Sequence, residues 1–217
     1  MKLPELSKPE SLTKIAYDAI HDSILSGQLT VDVVYKEKGL AEDLGISRTP
    51  VREALLALSA EGLVTFLPRK GLVINKFSKQ DIEEIFEIRE SIELASVKKI
   101  CRNHATLDFS ELGSIFQEQK KSLKTQPEAT SFMKLDRDFH MAISKLVGNN
   151  RLLSIMNNIG DKVHLMGLRA LSVGGRMEEV IEEHGKILEA IKNGCEQEAL
   201  SLMEYHLDRS KKKAKTN

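Results

Sequence analysis

Leu40-Ala41-Glu42-Asp43-Leu44-Gly45-Ile46-Ser47-Arg48-Thr49-Pro50-Val51-Arg52-Glu53-Ala54-Leu55 contains two helical faces joined by a turn. Leu40, Ala41 and Leu44 form the apolar side of a short helix starting at Glu37, and Gly45 supplies the positive φ that a tight helix-helix turn often needs. Ser47 is placed to cap the next helix, whose inward face is Val51, Ala54, Leu55 and Leu58. Pro50 falls in its first turn, where a missing N–H costs nothing, and Gly62 ends it. Arg48, Thr49 and Arg52 lie on the side away from the apolar face. A helix that enters the major groove reads bases with its N-terminal residues. Arginine pairs bidentately with guanine, and threonine bonds a phosphate or touches a thymine methyl.

Before this pair of helices, Leu12 to Leu25 has helical spacing, with Ser11 as N-cap and Gly27 as stop. After it, Leu63–Phe66 and Leu72–Ile74 are short β-like runs around Leu67-Pro68-Arg69-Lys70-Gly71, a turn with two adjacent cations. The outline is a winged helix-turn-helix with a small β-hairpin. Lys38, on the first helix of the pair, and Lys70, at the hairpin tip, are placed to hold phosphates on either side of the reading helix. The unit is expected to span residues 1–76. It carries ten basic and ten acidic side chains, so a DNA-binding face must come from where the cations cluster. Exposed arginines with no groove to enter are the alternative.

From residue 77 to 217 no β signal returns. Ser78 with Asp81 resembles a capping box, and successive stripes at helical spacing predict an antiparallel all-α bundle of about six helices. The first stripe is Ile82, Ile85, Phe86, Ile92 and Ala95, and a break is expected at Gly174-Gly175. Lys211, Lys212, Lys213 and Lys215 are expected to form a frayed, solvated tail. Over the whole chain of 217 residues, 32 Lys+Arg balance 32 Asp+Glu and 41% of residues are hydrophobic. No apolar run nears the ~20 residues of a membrane span, no signal-peptide core begins the chain, and two cysteines form no CxxC pair. A cytoplasmic protein with no membrane association is expected.

Asp136 and His140, four residues apart, project from one side of a helix beside Phe139 and Ile143. His184, flanked by Val180/Ile181 and Ile187/Leu188, and His206, between Met203 and Leu207, also point toward the bundle interior. Burying four such groups separately is costly, and one divalent cation shared among them removes the cost. Each histidine satisfied alone in the core, with Asp136 paired to Arg89 or Arg169, is the alternative. No HExxH, GxSxG or P-loop motif is present and no general base stands near these residues, so an enzyme is not expected.

The run from Leu40 to Leu55, together with Glu61-Gly62-Leu63-Val64 and Arg69-Lys70-Gly71, resembles the N-terminal domain of GntR-type bacterial transcription regulators. Leu135-Asp136-Arg137-Asp138-Phe139-His140, Gly148-Asn149-Asn150-Arg151-Leu152, Glu183-His184 and Met203-Glu204-Tyr205-His206-Leu207 resemble the all-helical FCD ligand-binding domain of the FadR subgroup. The resemblance implies a homodimeric repressor or activator on a palindromic double-stranded operator. Lys38, Arg48, Thr49, Arg52, Lys70 and Gly71 match DNA-contacting positions. It also implies a divalent metal (Zn, Ni, Mn or Fe) held by Asp136, His140, His184 and His206, and a small carboxylate effector. Arg89, one turn after Ile85 and Phe86, is placed either to reach such an anion or to form a salt bridge, and His164, next to inward Val163, faces either the pocket or water. Regulation by the metal itself, and a metalloenzyme that activates water at the same four residues, are the competing readings.

Overall fold

The computed structural model describes residues 10–125, 128–171 and 175–216. The chain divides into two compact units whose boundary falls between Lys76 and Phe77.

In the N-terminal unit, α1 (Leu12–Leu25), α2 (Glu37–Asp43) and α3 (Arg48–Ala60) precede an antiparallel hairpin of β1 (Val64–Leu67) and β2 (Gly71–Ile74). Ser11 Oγ accepts the Lys14 amide and starts α1. Ala16, Ile20 and Ile24 of α1 pack into a core with Val51, Ala54, Leu55 and Leu58 of α3. Leu12 and Ile15, which the spacing places on the same stripe, are 52% and 45% exposed, so the buried face of α1 is narrower than its apolar face. Gly45 takes a φ of 65° between α2 and α3. Ser47 is the N-cap residue of α3 by backbone conformation, but its side chain makes no capping bond. The hairpin pairs Val64 with Ile74 and Leu67 with Gly71, and Tyr35 extends the sheet by a backbone bridge to Leu72.

The C-terminal unit is all-helical: α4 (Lys79–Asn103), α5 (Ser110–Ser122), α6 (Ala129–Leu146), α7 (Asn150–Leu171), α8 (Arg176–Lys192) and α9 (Glu196–Thr216), with 3-10 turns at His104–Thr106 and Leu123–Thr125. The reciprocal capping box of Ser78 and Asp81 is present. Phe139 and Ile143 of α6, Ile187 and Ile191 of α8, and Met203 of α9 are fully buried in the main core, each stabilising the fold by about 1.5–3 kcal/mol. The expected stripe on α4 is corrected in phase. Ile82 and Phe86 are buried and Ala95 is exposed, because the inward row continues through Arg89, Glu93, Ser96, Val97 and Ile100. Two charged residues one turn apart thus sit where the pattern of apolar residues loses the helix face. The lysine tail is also corrected: α9 runs helical to Thr216, Ala214 is buried against Ile82, Phe86 and Met166, and Lys211 and Lys215 both pair with Glu83 at the start of α4. Gly174 and the side chain of Arg169 lie outside the described residues.

Candidate metal centre and DNA-reading helix

Asp136 and His140 come from α6, His184 from α8 and His206 from α9. All four are buried, and one ligand atom from each lies within 4.8 Å of the others. His206 Nε2 is 3.2 Å from His140 Nε2 and 3.4 Å from His184 Nε2, while Asp136 Oδ1 is 3.6 Å from His184 Nε2. Of the alternative partners for Asp136, Arg89 donates its Nε to Glu93 instead, at 2.6 Å.

The outward ring nitrogens explain why the inward ones face one another. His140 Nδ1 donates to Glu93 Oε2 at 2.5 Å, His206 Nδ1 to Glu183 Oε2 at 2.7 Å, and His184 Nδ1 to Gln119 Oε1 at 3.0 Å. Gln119 has no freedom to flip, since its Nε2 donates to the Leu135 carbonyl at 3.1 Å. Its oxygen must therefore face His184, which puts the proton on Nδ1 and a lone pair on Nε2. Phe139 stacks on the His184 ring at 4.0 Å with planes 6° apart, fixing the ring's tilt. Burial, and then the neighbouring His206 and His140, push the His184 pKa well below the ordinary imidazole value. Burial also lowers that of His206, against the opposing bond to Glu183.

The two glutamates are anchored in turn. Arg89 holds Glu93. Arg176 grips Glu183 with two bonds of 2.7 and 3.0 Å, and Arg209 adds a third of 3.1 Å. Burial alone would raise the pKa of both carboxyl groups. The neighbouring His140 and Arg89 outweigh it at Glu93, and the bonds from His206 and Arg176 outweigh it at Glu183, leaving each at about 2.

Three imidazole nitrogens and a carboxylate oxygen, converging with their lone pairs inward, fit a divalent cation. One proton between His140 and His206 would satisfy two of the nitrogens and leave the third facing them. The 3.2–3.6 Å spacing also suits donors about 2.0–2.2 Å from a common centre. Outer hydrogen bonds to carboxylate or carbonyl oxygens are the usual support of metal-binding histidines.

Beside Asp136 the bundle forms two adjoining, partly open pockets, of about 310 Å3 and 380 Å3 with their solvent-filled mouths included. Arg89, Met133, Asp136 and Val163 line both, and the first also reaches His140 and His164. Arg89 and His164, the two residues singled out for an effector, are 4% exposed each and face this space. Glu93, Gln119 and Arg176 escape the sequence reading, and Glu183 enters it only within the Glu183-His184 motif, with no role given to it. The signal available was the i,i+4 pairing of Arg89 with Glu93; nothing local marks Gln119.

In the N-terminal unit Arg48, Thr49 and Arg52 are exposed on one side of α3, opposite its buried row. Glu37, at the start of α2, accepts from Arg52 Nη1 at 2.9 Å and Arg48 Nη2 at 3.5 Å, so one carboxylate gathers both guanidinium groups. Lys38 is exposed and lies 3.6 Å from Glu42. Lys70 is exposed in the hairpin turn. Gly71 has a φ of 133°, and a Cβ there would stand 2.1 Å from the Tyr35 carbonyl oxygen, so the β-bridge to Tyr35 requires glycine.

A helix-turn-helix with a two-stranded wing, followed by an all-helical unit built around a buried Asp/His cluster, defines a two-part regulator class. The profile of the FCD domain matches residues 84–209, and that of the bacterial regulatory proteins of the gntR family matches residues 12–74. The chain belongs to the GntR-family transcription regulators that carry an FCD effector-binding domain. It is 28% identical over 184 residues to the gluconate operon transcriptional repressor of Bacillus licheniformis, a match covering 85% of this chain and 74% of that protein. Among solved structures, a GntR transcriptional regulator from Rhodococcus sp. RHA1 superposes with a TM-score of 0.84 at 22% identity, over 94% of this chain and 98% of that one. The metal-free FCD domain of TM0439 superposes with a TM-score of 0.55 at 20% identity, over 65% of this chain and 96% of that one. These two likenesses are of fold. No helix among the described residues is long and apolar enough to cross a membrane.

Proposed function

We propose that this regulator binds a palindromic operator as a homodimer in the cytoplasm, and that a small organic acid bound beside a divalent metal sets its operator affinity. Residues 1–76 form the DNA-binding domain and residues 77–217 the effector-binding and dimerisation domain. Arg48, Thr49 and Arg52 read the major groove, while Lys38 and the wing residues Lys70 and Gly71 hold the backbone. Asp136, His140, His184 and His206 hold the metal, which is zinc, nickel, manganese or iron on ligand type alone. Bound there, a divalent ion supplies a net positive charge and open positions that a carboxylate fills. Arg89 and His164 face the same space and contact the acid. The protein is a binding regulator and not an enzyme: its relatives are transcription regulators, and the histidines are committed to ligation and to their outer partners.

The observation that carries this reading is the inward convergence of three Nε2 atoms whose Nδ1 atoms are all tied outward. Effector and operator must be linked by differential affinity, typically about 1–3 kcal/mol. The test is elemental analysis of wild type beside Asp136→Ala, followed by operator binding at varied acid and fixed metal. A stoichiometric divalent metal lost in the variant, and an operator affinity that follows the acid, are expected. Absence of metal from wild type overturns the metal centre. An operator affinity that tracks free metal and ignores every acid transfers the signal to the ion.

A further inference from the structure

The proposed pocket has a chemical bias in its walls. Arg89 is 4% exposed, bonds Glu93 through its Nε, and lays its guanidinium over the Phe86 ring at 5.5 Å. Its two terminal amino groups make no hydrogen bond to the described residues, and the guanidinium borders both cavities. It is thus a buried cation with donors held open for an anion. Arg176, the second guanidinium at the cavity wall, is in a different condition: Glu179, Glu183 and Ser210 occupy its terminal nitrogens, and Ser210 Oγ accepts one of those bonds. Arg137 is likewise committed, to Asp161. Beyond the Arg89–Asp136 end most of the lining side chains offer nothing to a hydroxyl: Met133, Met156, Ile159 and Val163 in one cavity, Leu171 and Val180 in the other, while the polar lining apart from the arginines is His140 and His164 in the first and Ser210 in the second. A Cβ on Gly167 would lie 2.6 Å from Met133 Cε, so an unbranched, adaptable thioether closes over a backbone with no side chain to stop it.

We infer that the effector is a carboxylic acid with an apolar body, its charged end against Arg89 and its carbon chain against Met133, Val163 and their neighbours, and that polyhydroxylated sugar acids are excluded. This rests on the carboxylate-binding reading given above. The physical ground is that each hydroxyl carried against these mostly apolar walls loses its water partners and finds few replacements. Similarity to a gluconate operon repressor therefore does not extend to the ligand.

The test compares two six-carbon acids that are identical at the head and differ only along the body. Zinc-loaded full-length protein is titrated calorimetrically with 2-hydroxyhexanoate and with gluconate, each having a carboxylate and a 2-hydroxyl. Glycolate serves as the bare head group. At least a ~100-fold tighter constant is expected for 2-hydroxyhexanoate than for gluconate, since even a single unmatched hydroxyl in an apolar pocket is discriminated by about that factor. Val163→Thr is expected to weaken 2-hydroxyhexanoate by a larger factor than glycolate. If glycolate binds and gluconate matches or exceeds 2-hydroxyhexanoate, the inference is overturned while the carboxylate pocket stands. If zinc binds but none of the three acids does, the pocket reading fails and this inference falls with it.

Discussion

Replacing Gln119 with methionine isolates the hydrogen bond that sets the His184 tautomer. The side chain keeps its volume in a fully buried position and loses both bonds of the amide, to His184 Nδ1 at 3.0 Å and to the Leu135 carbonyl at 3.1 Å. Leaving a buried donor unpaired costs about 1–3 kcal/mol. Loss of an outer partner of a metal-binding histidine typically weakens metal binding by about 10–100-fold. Phe139 still stacks on the imidazole at 4.0 Å, so the ring plane is retained and only the proton position is released. The loss should therefore sit at the lower end, about 10–30-fold or 1.4–2.0 kcal/mol. Competition of the protein with a chromophoric chelator for zinc at fixed pH reads this directly. Nitrogen-15 spectra of the imidazoles should show His184 protonated at Nδ1 in the wild type and mixed in the variant. An unchanged zinc constant accompanied by a lowered melting temperature would show that Gln119 only fills the core, and the tautomer argument would be wrong.

Glu37→Gln releases Arg48 and Arg52 from a carboxylate that lies beside the proposed DNA face. Exposed ion pairs are worth at most about 1 kcal/mol, so non-specific DNA affinity should rise by up to ~5-fold, while the specific-to-non-specific ratio falls because Arg52 is no longer held in place. An equal rise on both DNAs in a salt titration would show that Glu37 does not orient the reading arginines. Gly71→Ala forces a Cβ toward the Tyr35 carbonyl at a φ that L-residues rarely adopt. It should destabilise the N-terminal unit by about 2–3 kcal/mol, with hydrogen-exchange protection lost first at the Tyr35–Leu72 bridge; retained protection there would refute it. The bonds from Ser78 hold the Asp81 carboxyl below the ordinary aspartate value. Folded protein therefore binds fewer protons than unfolded, and the cap's contribution is complete above about pH 4 and fades as pH falls through the folded value. Ser78→Ala should cost about 1 kcal/mol near neutrality and flatten that acid slope; denaturant melts from about pH 3 to 7 that run parallel for both proteins would contradict it.

The sequence alone carried the local decisions. Helical spacing placed Val51, Ala54, Leu55 and Leu58 on the buried side of α3 and left Arg48, Thr49 and Arg52 outside, because a period of 3.6 residues fixes phase within one helix whatever it packs against. The capping box at Ser78, the turn at Gly45 and the shared side of Asp136 and His140 follow from the same short-range geometry. What separate helices do to one another was decided by packing. Only the relative rotation and height of α6, α8 and α9 bring His184 and His206 to His140, and no spacing along the chain encodes that. The outer partners were hidden for a related reason. Arg89 is expected at Asp136 or at an effector, and Glu93 draws no notice, until packing shows each cancelling the other's burial cost; Gln119 acquires a role only where α5 meets α6 and α8. The lysine-rich end looked unanchored because its partner, Glu83, lies more than half the chain away. Tertiary structure alone pairs such distant charges and lets the last helix continue to Thr216.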